Sequence, residues 1–261
     1  MQIRVIDSHA HCGTQDTSAA QDFNDYRTLI QGTPIEEVIV FAPVQEIYDR
    51  FDPWFSDHEF WRRRRSQANE YVLGLRGQMP QVIPFFFVWN DFDLQSLDDA
   101  FQGIKWHRHA DEPVYNYQDP ACKEFLQQVA RRNLPVILEE EFENTLFFIQ
   151  ELAPEVRVII PHLGGLNGGF TRLAQAGIWD LDRVYTDTSL AGAREIRDYM
   201  QSFGTERIFF GSDFPFGHPA SELRKIQNLG LKQETLQAVC RDNILSLLAG
   251  NQSEGQLLNK S

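Results

Sequence analysis

Two histidines separated by one residue stand near the start of the chain, in Asp7-Ser8-His9-Ala10-His11. Apolar residues lead into them, in a pattern that predicts a β-strand over Ile3 to His9. Alternate side chains of a strand share one face. His9 and His11 therefore project together from its end, about 6–7 Å apart along the strand. Two imidazoles so placed can converge on one metal ion. A bound metal polarises carbonyl groups and acidifies water, so the first expectation is a metal-dependent enzyme.

Other candidates gather at comparable places. His107 and His162 close predicted strands, His109 and His218 follow strands in loops, and His58 lies elsewhere. Asp213 ends the last predicted strand, in Phe210-Gly211-Ser212-Asp213-Phe214-Pro215. A carboxylate there can ligate a metal beside His9 and His11, or take a proton from an attacking water. Lys105 and His107 share a face by their i, i+2 spacing. With Arg108 and His109 they form a basic cluster suited to an anionic substrate group. A basic, solvent-facing loop is the plain alternative. His218 is placed with Lys105, His107 and Arg108 as a substrate-binding candidate.

These residues need a scaffold that brings strand ends together. Eight strands are predicted: Ile3 to His9, Glu37 to Ala42, Val82 to Trp89, Ile104 to His107, Val136 to Glu139, Val156 to His162, Val184 to Ser189 and Ile208 to Asp213. Helical patterns lie between most of them. Asp119 caps a helix with Pro120 in its first position, running to Asn133. Further helices are predicted over Thr145 to Leu152, Ala193 to Phe203 and Gln233 to Ala249, the last ended by Gly250. Alternating strands and helices imply parallel pairing with right-handed crossovers. Eight such units in this length suit a (β/α)8 TIM barrel, whose catalytic face is the C-terminal end of the strands. A doubly wound open sheet is the runner-up. One domain over 1–250 is expected, with a polar tail over 251–261. The segment Tyr48 to Gln78 is long and aromatic for a βα loop, and emerges on the same face as the histidines.

Composition narrows the partners. The 261 residues carry a formal charge of −13, which disfavours nucleic acid and anionic membranes. The run Arg62 to Arg65 sits in a predicted helix and reads as a solvated or ion-paired face. No apolar run is long enough to span a bilayer. Three unpaired cysteines and the absence of a signal-like segment point to the cytoplasm. A small molecule is the expected partner, and nothing in the sequence fixes an oligomeric state.

Asp7-Ser8-His9-Ala10-His11, Gly103-Ile104-Lys105, Pro161-His162-Leu163-Gly164-Gly165, Tyr185-Thr186-Asp187-Thr188-Ser189 and Gly211-Ser212-Asp213-Phe214-Pro215 together resemble the amidohydrolase-related family of the amidohydrolase superfamily. The closing Arg241-Asp242-Asn243-Ile244 resembles the family's last helix. The resemblance implies a distorted (β/α)8 barrel with a metal at its mouth, usually zinc. It implies hydrolysis of amide or ester bonds, or decarboxylation of aromatic and dienoic acids. His9 and His11 match the metal ligands, Asp213 the ligand and general base, and His162 the residue that polarises substrate or orients water. One position departs from the family pattern. Where the fifth strand usually ends in a metal-binding histidine, this chain has Glu139, followed by Glu140 and Glu141. Carboxylate oxygen is a legitimate zinc ligand, and further oxygen suits Mn²⁺. Glu139 is therefore expected as a substitute ligand, facing inward with Ile137 while Glu140 takes the other face; the alternative is a weakened or metal-free site in which the glutamates serve a cationic substrate or solvate a loop. Lys105 is expected to stay a plain ammonium, without a second metal.

The leading expectation is hydrolysis by water activated on one divalent ion, Zn²⁺ or alternatively Mn²⁺, with Asp213 as general base and His162 at the developing oxyanion. Decarboxylation is the second reading. A catalytically silent barrel with a binding role is the third.

Overall fold

The computed structural model describes residues 3–14, 21–52 and 54–253. Its strands are β1 (Val5–His11), β2 (Ile35–Phe41), β3 (Gln81–Pro84), β4 (Phe86–Phe87), β5 (Ile104–His107), β6 (Val136–Glu139), β7 (Val158–Ile160), β8 (Val184–Asp187) and β9 (Ile208–Phe209). All neighbouring pairs are parallel. They form a three-stranded sheet, β1 to β3, and a six-stranded sheet, β4 to β9.

Two seams join these sheets into a ring. At the first, β3 and β4 are halves of one strand broken around Phe85. The Phe85 amide donates back to Val40 O of β2 at 2.9 Å, and the Phe86 amide donates forward to Gly103 O ahead of β5 at 2.9 Å. At the second, the chain after β9 pairs with β1. Ser8 N donates to Phe210 O (3.0 Å), Asp213 N to His9 O (2.8 Å) and His11 N to Phe214 O (2.8 Å). The result is the expected TIM barrel, distorted where these strands break.

Inside the ring, Ile6, Ile39, Phe41, Ile83, Phe85, Ile137, Ile159 and Phe209 form one apolar cluster. Ile244, Leu247 and Leu248 join it from the final helix (Asn243–Ser253) and close the end opposite the histidines. Their i, i+3, i+4 spacing makes one helical face apolar. A second, larger cluster lies between the strands and the surrounding helices. Asp119 caps its helix, Pro120–Arg131, accepting from Ala121 N at 2.8 Å. The helix Ala193–Phe203 matches its expected bounds.

Two expectations about helices change. The segment Phe142–Phe147 starts earlier than predicted and continues as a π-helical turn through Leu152. The final helix passes through Gly250 instead of ending there. Gly250 serves a close approach: a Cβ on it would stand 2.6 Å from Arg157 Nη1, and its carbonyl accepts from Asn133 Nδ2 at 2.8 Å. Of the expected polar tail, residues 254–261 lie outside the described residues. The arginine run divides. Arg62 and Arg63 are exposed, whereas Arg65 is buried against Asp57 and Asp91. No helix among the described residues is long and apolar enough to cross a membrane.

Candidate active site

A bulge in β1 aims the two histidines. Asp7 pairs with Val38 and Ala10 with Val40, so β1 spends one more residue over this stretch than β2. Ile6 points into the barrel core, and simple alternation would turn His9 away from it. The extra residue reverses that parity, so His9 and His11 face the barrel mouth. Asp7 anchors the bulge. Its carboxylate accepts from Ser212 N (2.8 Å), Ser212 Oγ (2.6 Å), Tyr26 OH (3.0 Å) and His9 N (3.2 Å). Burial nonetheless pushes it up to about 7.

Each imidazole is oriented from behind. His9 Nδ1 donates to Asp187 Oδ2 at 2.8 Å, and His11 Nδ1 to Ala42 O at 3.2 Å. Both rings thereby turn Nε2 toward Asp213 Oδ1, at 3.3 and 3.5 Å. Burial and the nearby Lys105 pull His9 down to about 4, so its ring is neutral and Nε2 carries a lone pair. Burial raises Asp187, but His9 and His162 reverse this and hold it ionised, well below its ordinary value. Asp213 Oδ1 is buried and accepts no hydrogen bond. A buried carboxylate oxygen that accepts no hydrogen bond, set between the Nε2 atoms of two imidazoles, is what a cation site requires. Burial accordingly raises Asp213.

His162 stands on the other side of Asp213. Its Nδ1 meets Ser189 O (3.2 Å) and Ser189 Oγ (2.8 Å), and its Nε2 lies 4.0 Å from Asp213 Oδ2 and 3.8 Å from Glu139 Oε1. Burial lowers His162, but Glu139 and Asp213 outweigh it and bring the ring to about 9, making it a cation. Asp187 also accepts from His162 N and Ser189 N, and so ties β1, β7 and β8 together. His162 and Asp213 both adopt left-handed backbone, at φ 56°. Such backbone is uncommon for residues other than glycine and clusters at functional sites.

The strand register places Lys105 opposite Ile137 and His107 opposite Glu139. Glu139 faces inward and Glu140 outward, as alternation predicts. Lys105 Nζ pairs with Glu139 Oε1 and lies 3.3 Å from His9 Nε2. His107 Nε2 is 3.2 Å from Glu139 Oε2. Arg50 Nη2 lies 3.0 Å from His109 Nδ1, and a guanidinium only donates. The proton of His109 therefore sits on Nε2, facing Glu139 Oε2 at 3.7 Å. Burial raises Glu139, but Lys105 and His107 hold it well below the usual carboxylate range.

Two expected substrate-binding residues stand apart from this group. Arg108 lies on the opposite face of its strand from Lys105 and His107. Its guanidinium is bound by Glu140 (2.7 Å), Glu141 (3.0 Å) and the Ala110 and Glu112 carbonyls. His218 is exposed ahead of the helix Pro219–Gln227. Conversely, the long loop after β2 contributes residues that the motifs did not single out. Tyr48 OH donates to Glu112 Oε2 at 2.6 Å and lies 3.4 Å from His107 Nδ1. Arg50 Nε donates to Glu112 Oε1 at 2.7 Å. The length and aromatic content of that loop were the signal available.

Three solved structures illustrate the likeness of fold. 2,6-Dihydroxybenzoate decarboxylase from Rhizobium aligns with a TM-score of 0.72 at 16% identity, over 96% of this chain and 100% of that one. A putative 2-pyrone-4,6-dicarboxylic acid hydrolase from Pseudomonas putida aligns at 0.69 and 17%, over 95% and 98%. Dihydroxybenzoic acid decarboxylase from Polaromonas sp. JS666, with bound manganese and the inhibitor 2-nitroresorcinol, aligns at 0.67 and 14%, over 97% and 99%. No curated protein matches the chain. The amidohydrolase family model matches residues 6–249, and the protein therefore belongs to the amidohydrolase family of enzymes.

Proposed function

We propose that the protein is a metal-dependent hydrolase that cleaves an amide, lactone or other ester bond in a small anionic substrate. The observation that carries this reading is the bare Asp213 Oδ1 between His9 Nε2 and His11 Nε2. Two imidazoles and a carboxylate form a ligand set that leaves a position open for chemistry. Zinc suits these donors. Manganese, the ion in the Polaromonas neighbour, is the alternative.

When bound, the ion supplies Lewis acidity and lowers the pKa of the attacking water. The protein residues do the rest. Asp213 Oδ1 faces the histidines, which leaves Oδ2, on the His162 side, to accept the water proton. Asp213 then returns that proton to the leaving atom. The His162 cation donates from Nε2 to the developing oxyanion. Lys105 supplies positive charge, and His107, which burial pulls down to about 4 and leaves neutral, supplies hydrogen-bonding capacity for the anionic end of the substrate, with Arg50 and His109 beside them. A cytoplasmic setting accords with three buried free thiols.

A second reading, decarboxylation of a small aromatic or dienoic acid, rests on His162 as a cationic acid able to protonate carbon. Both readings are tested together with lactones, cyclic amides and hydroxybenzoates. Chelator-treated protein is assayed before and after Zn²⁺ or Mn²⁺ is restored. Metal-restored ring opening supports hydrolysis. CO2 release without a hydrolytic product supports the second reading. Full turnover in excess chelator contradicts the role of the ion.

A further inference from the structure

Glu139 is the acidic residue at the end of β6, and one of its oxygens is turned to the metal-capable group. Oε1 lies 3.7 Å from His9 Nε2 and 3.8 Å from His162 Nε2, so these three side chains have the spacing of a ligand set. That same oxygen is already occupied by a cation. The Lys105 ammonium pairs with it, sits 3.3 Å from His9 Nε2 and rests 4.6 Å from the centre of the Phe41 ring. The lysine is fully buried, and β5–β6 pairing fixes its stem opposite Ile137. The other oxygen, Oε2, faces His107 and His109 at 3.2 and 3.7 Å. Glu139 thus has a positive or proton-bearing neighbour on both sides.

We propose that Lys105 acts as a built-in competitor of the metal ion for Glu139, so that the ion is held by His9, His11 and Asp213 alone and its affinity is set by Lys105. The inference rests on the proposed metal site. Its physical basis is that an ammonium and a divalent ion repel each other at these separations, and one buried carboxylate oxygen cannot serve both. Glu139 in place of a neutral histidine gives the lysine a counter-charge, and the pair is self-sufficient without metal. If the ammonium is removed, Glu139 becomes a bare buried carboxylate beside His9. Recruiting a cation is then its most favourable way to be satisfied.

The test is a double-mutant cycle on the full chain, read by metal affinity and not by turnover. Apo protein competes with a chromogenic chelator for Zn²⁺, and separately for Mn²⁺. Lys105→Met keeps an unbranched apolar stem of similar length and removes the charge. It is expected to tighten metal binding by about tenfold or more, the scale on which neighbouring groups tune metal sites. Glu139→Gln alone leaves the ammonium without its counter-charge and is expected to bind metal no more tightly than wild type, and to abolish the gain in the Lys105→Met background. Weaker binding by Lys105→Met would overturn the proposal, because the lysine would then support the ion. Tighter binding by Glu139→Gln alone would overturn it too, because an ammonium without its counter-charge can only repel the ion more, and that arm stands even if Lys105→Met does not fold. If wild type binds no metal but Lys105→Met does, the competition stands and the metal-dependent reading of the native enzyme falls. If neither binds, both fall.

Discussion

His9 Nδ1 donates to Asp187 Oδ2 at 2.8 Å, and both side chains are fully buried. This bond fixes the tautomer of His9 and turns its other nitrogen to the mouth of the barrel. Asp187 thus serves the candidate metal site without belonging to it. Asp187→Asn is expected to weaken metal binding by about 10–100-fold, the usual effect of losing a carboxylate behind a ligating histidine. Chelator competition measures it. Unchanged affinity would show that Asp187 only holds strands together.

Asp213 is assigned both a ligand oxygen and a base oxygen. Asp213→Asn keeps the shape but cannot accept the water proton. At saturating metal, kcat is expected to fall by about 10²–10⁴-fold with little change in KM, the range for loss of a general base. Metal content of the same sample separates lost chemistry from a lost ion. A variant that retains both its metal and most of its turnover would remove Asp213 from the base role.

Gly211 lets the last strand approach the first beneath the site. A Cβ there would meet Ser8 Oγ at 3.1 Å, Asp187 Cγ at 3.2 Å and His9 Cβ at 3.2 Å. None of these has room to retreat in a packed barrel. Gly211→Ala is expected to cost about 1–3 kcal/mol in urea unfolding and to loosen the His9–Asp187 bond. A midpoint equal to wild type would show that the seam is softer than the packing implies.

Glu112 gives the pH dependence a sign. Burial raises it, but His107, Arg50 and the Tyr48 hydroxyl together lower it below its ordinary value. A carboxylate lowered on folding stabilises the native state above its unfolded pKa, about 4.3 for glutamate. That stabilisation is lost as pH falls through the folded value. Glu112→Gln should therefore melt below wild type near neutrality, with the gap closing as acid is added. A gap that stays constant down to acid pH would contradict the linkage.

Much of this was legible in the sequence because spacing alone fixed it. The i, i+2 rule brings His9 to His11 and Lys105 to His107, and alternation turns Glu139 inward and Glu140 out. Alternation also explains why Arg108 stands apart from Lys105, although both belong to one basic run. What stayed hidden depends on pairing between distant segments. The bulge that reverses the parity of β1 exists only relative to β2. The Lys105–Glu139 pair depends on the β5–β6 register. Tyr48 and Arg50 reach the site only because a long loop folds back over the barrel mouth. Gly250 reads as a helix stop until Arg157 is seen against it.

The most direct test is anomalous diffraction from crystals grown with Mn²⁺ or Zn²⁺. A single ion bound by His9 Nε2, His11 Nε2 and Asp213 Oδ1, with Glu139 still on Lys105, is the expected result. Crystals soaked in excess metal that show no anomalous peak among these three residues would contradict it.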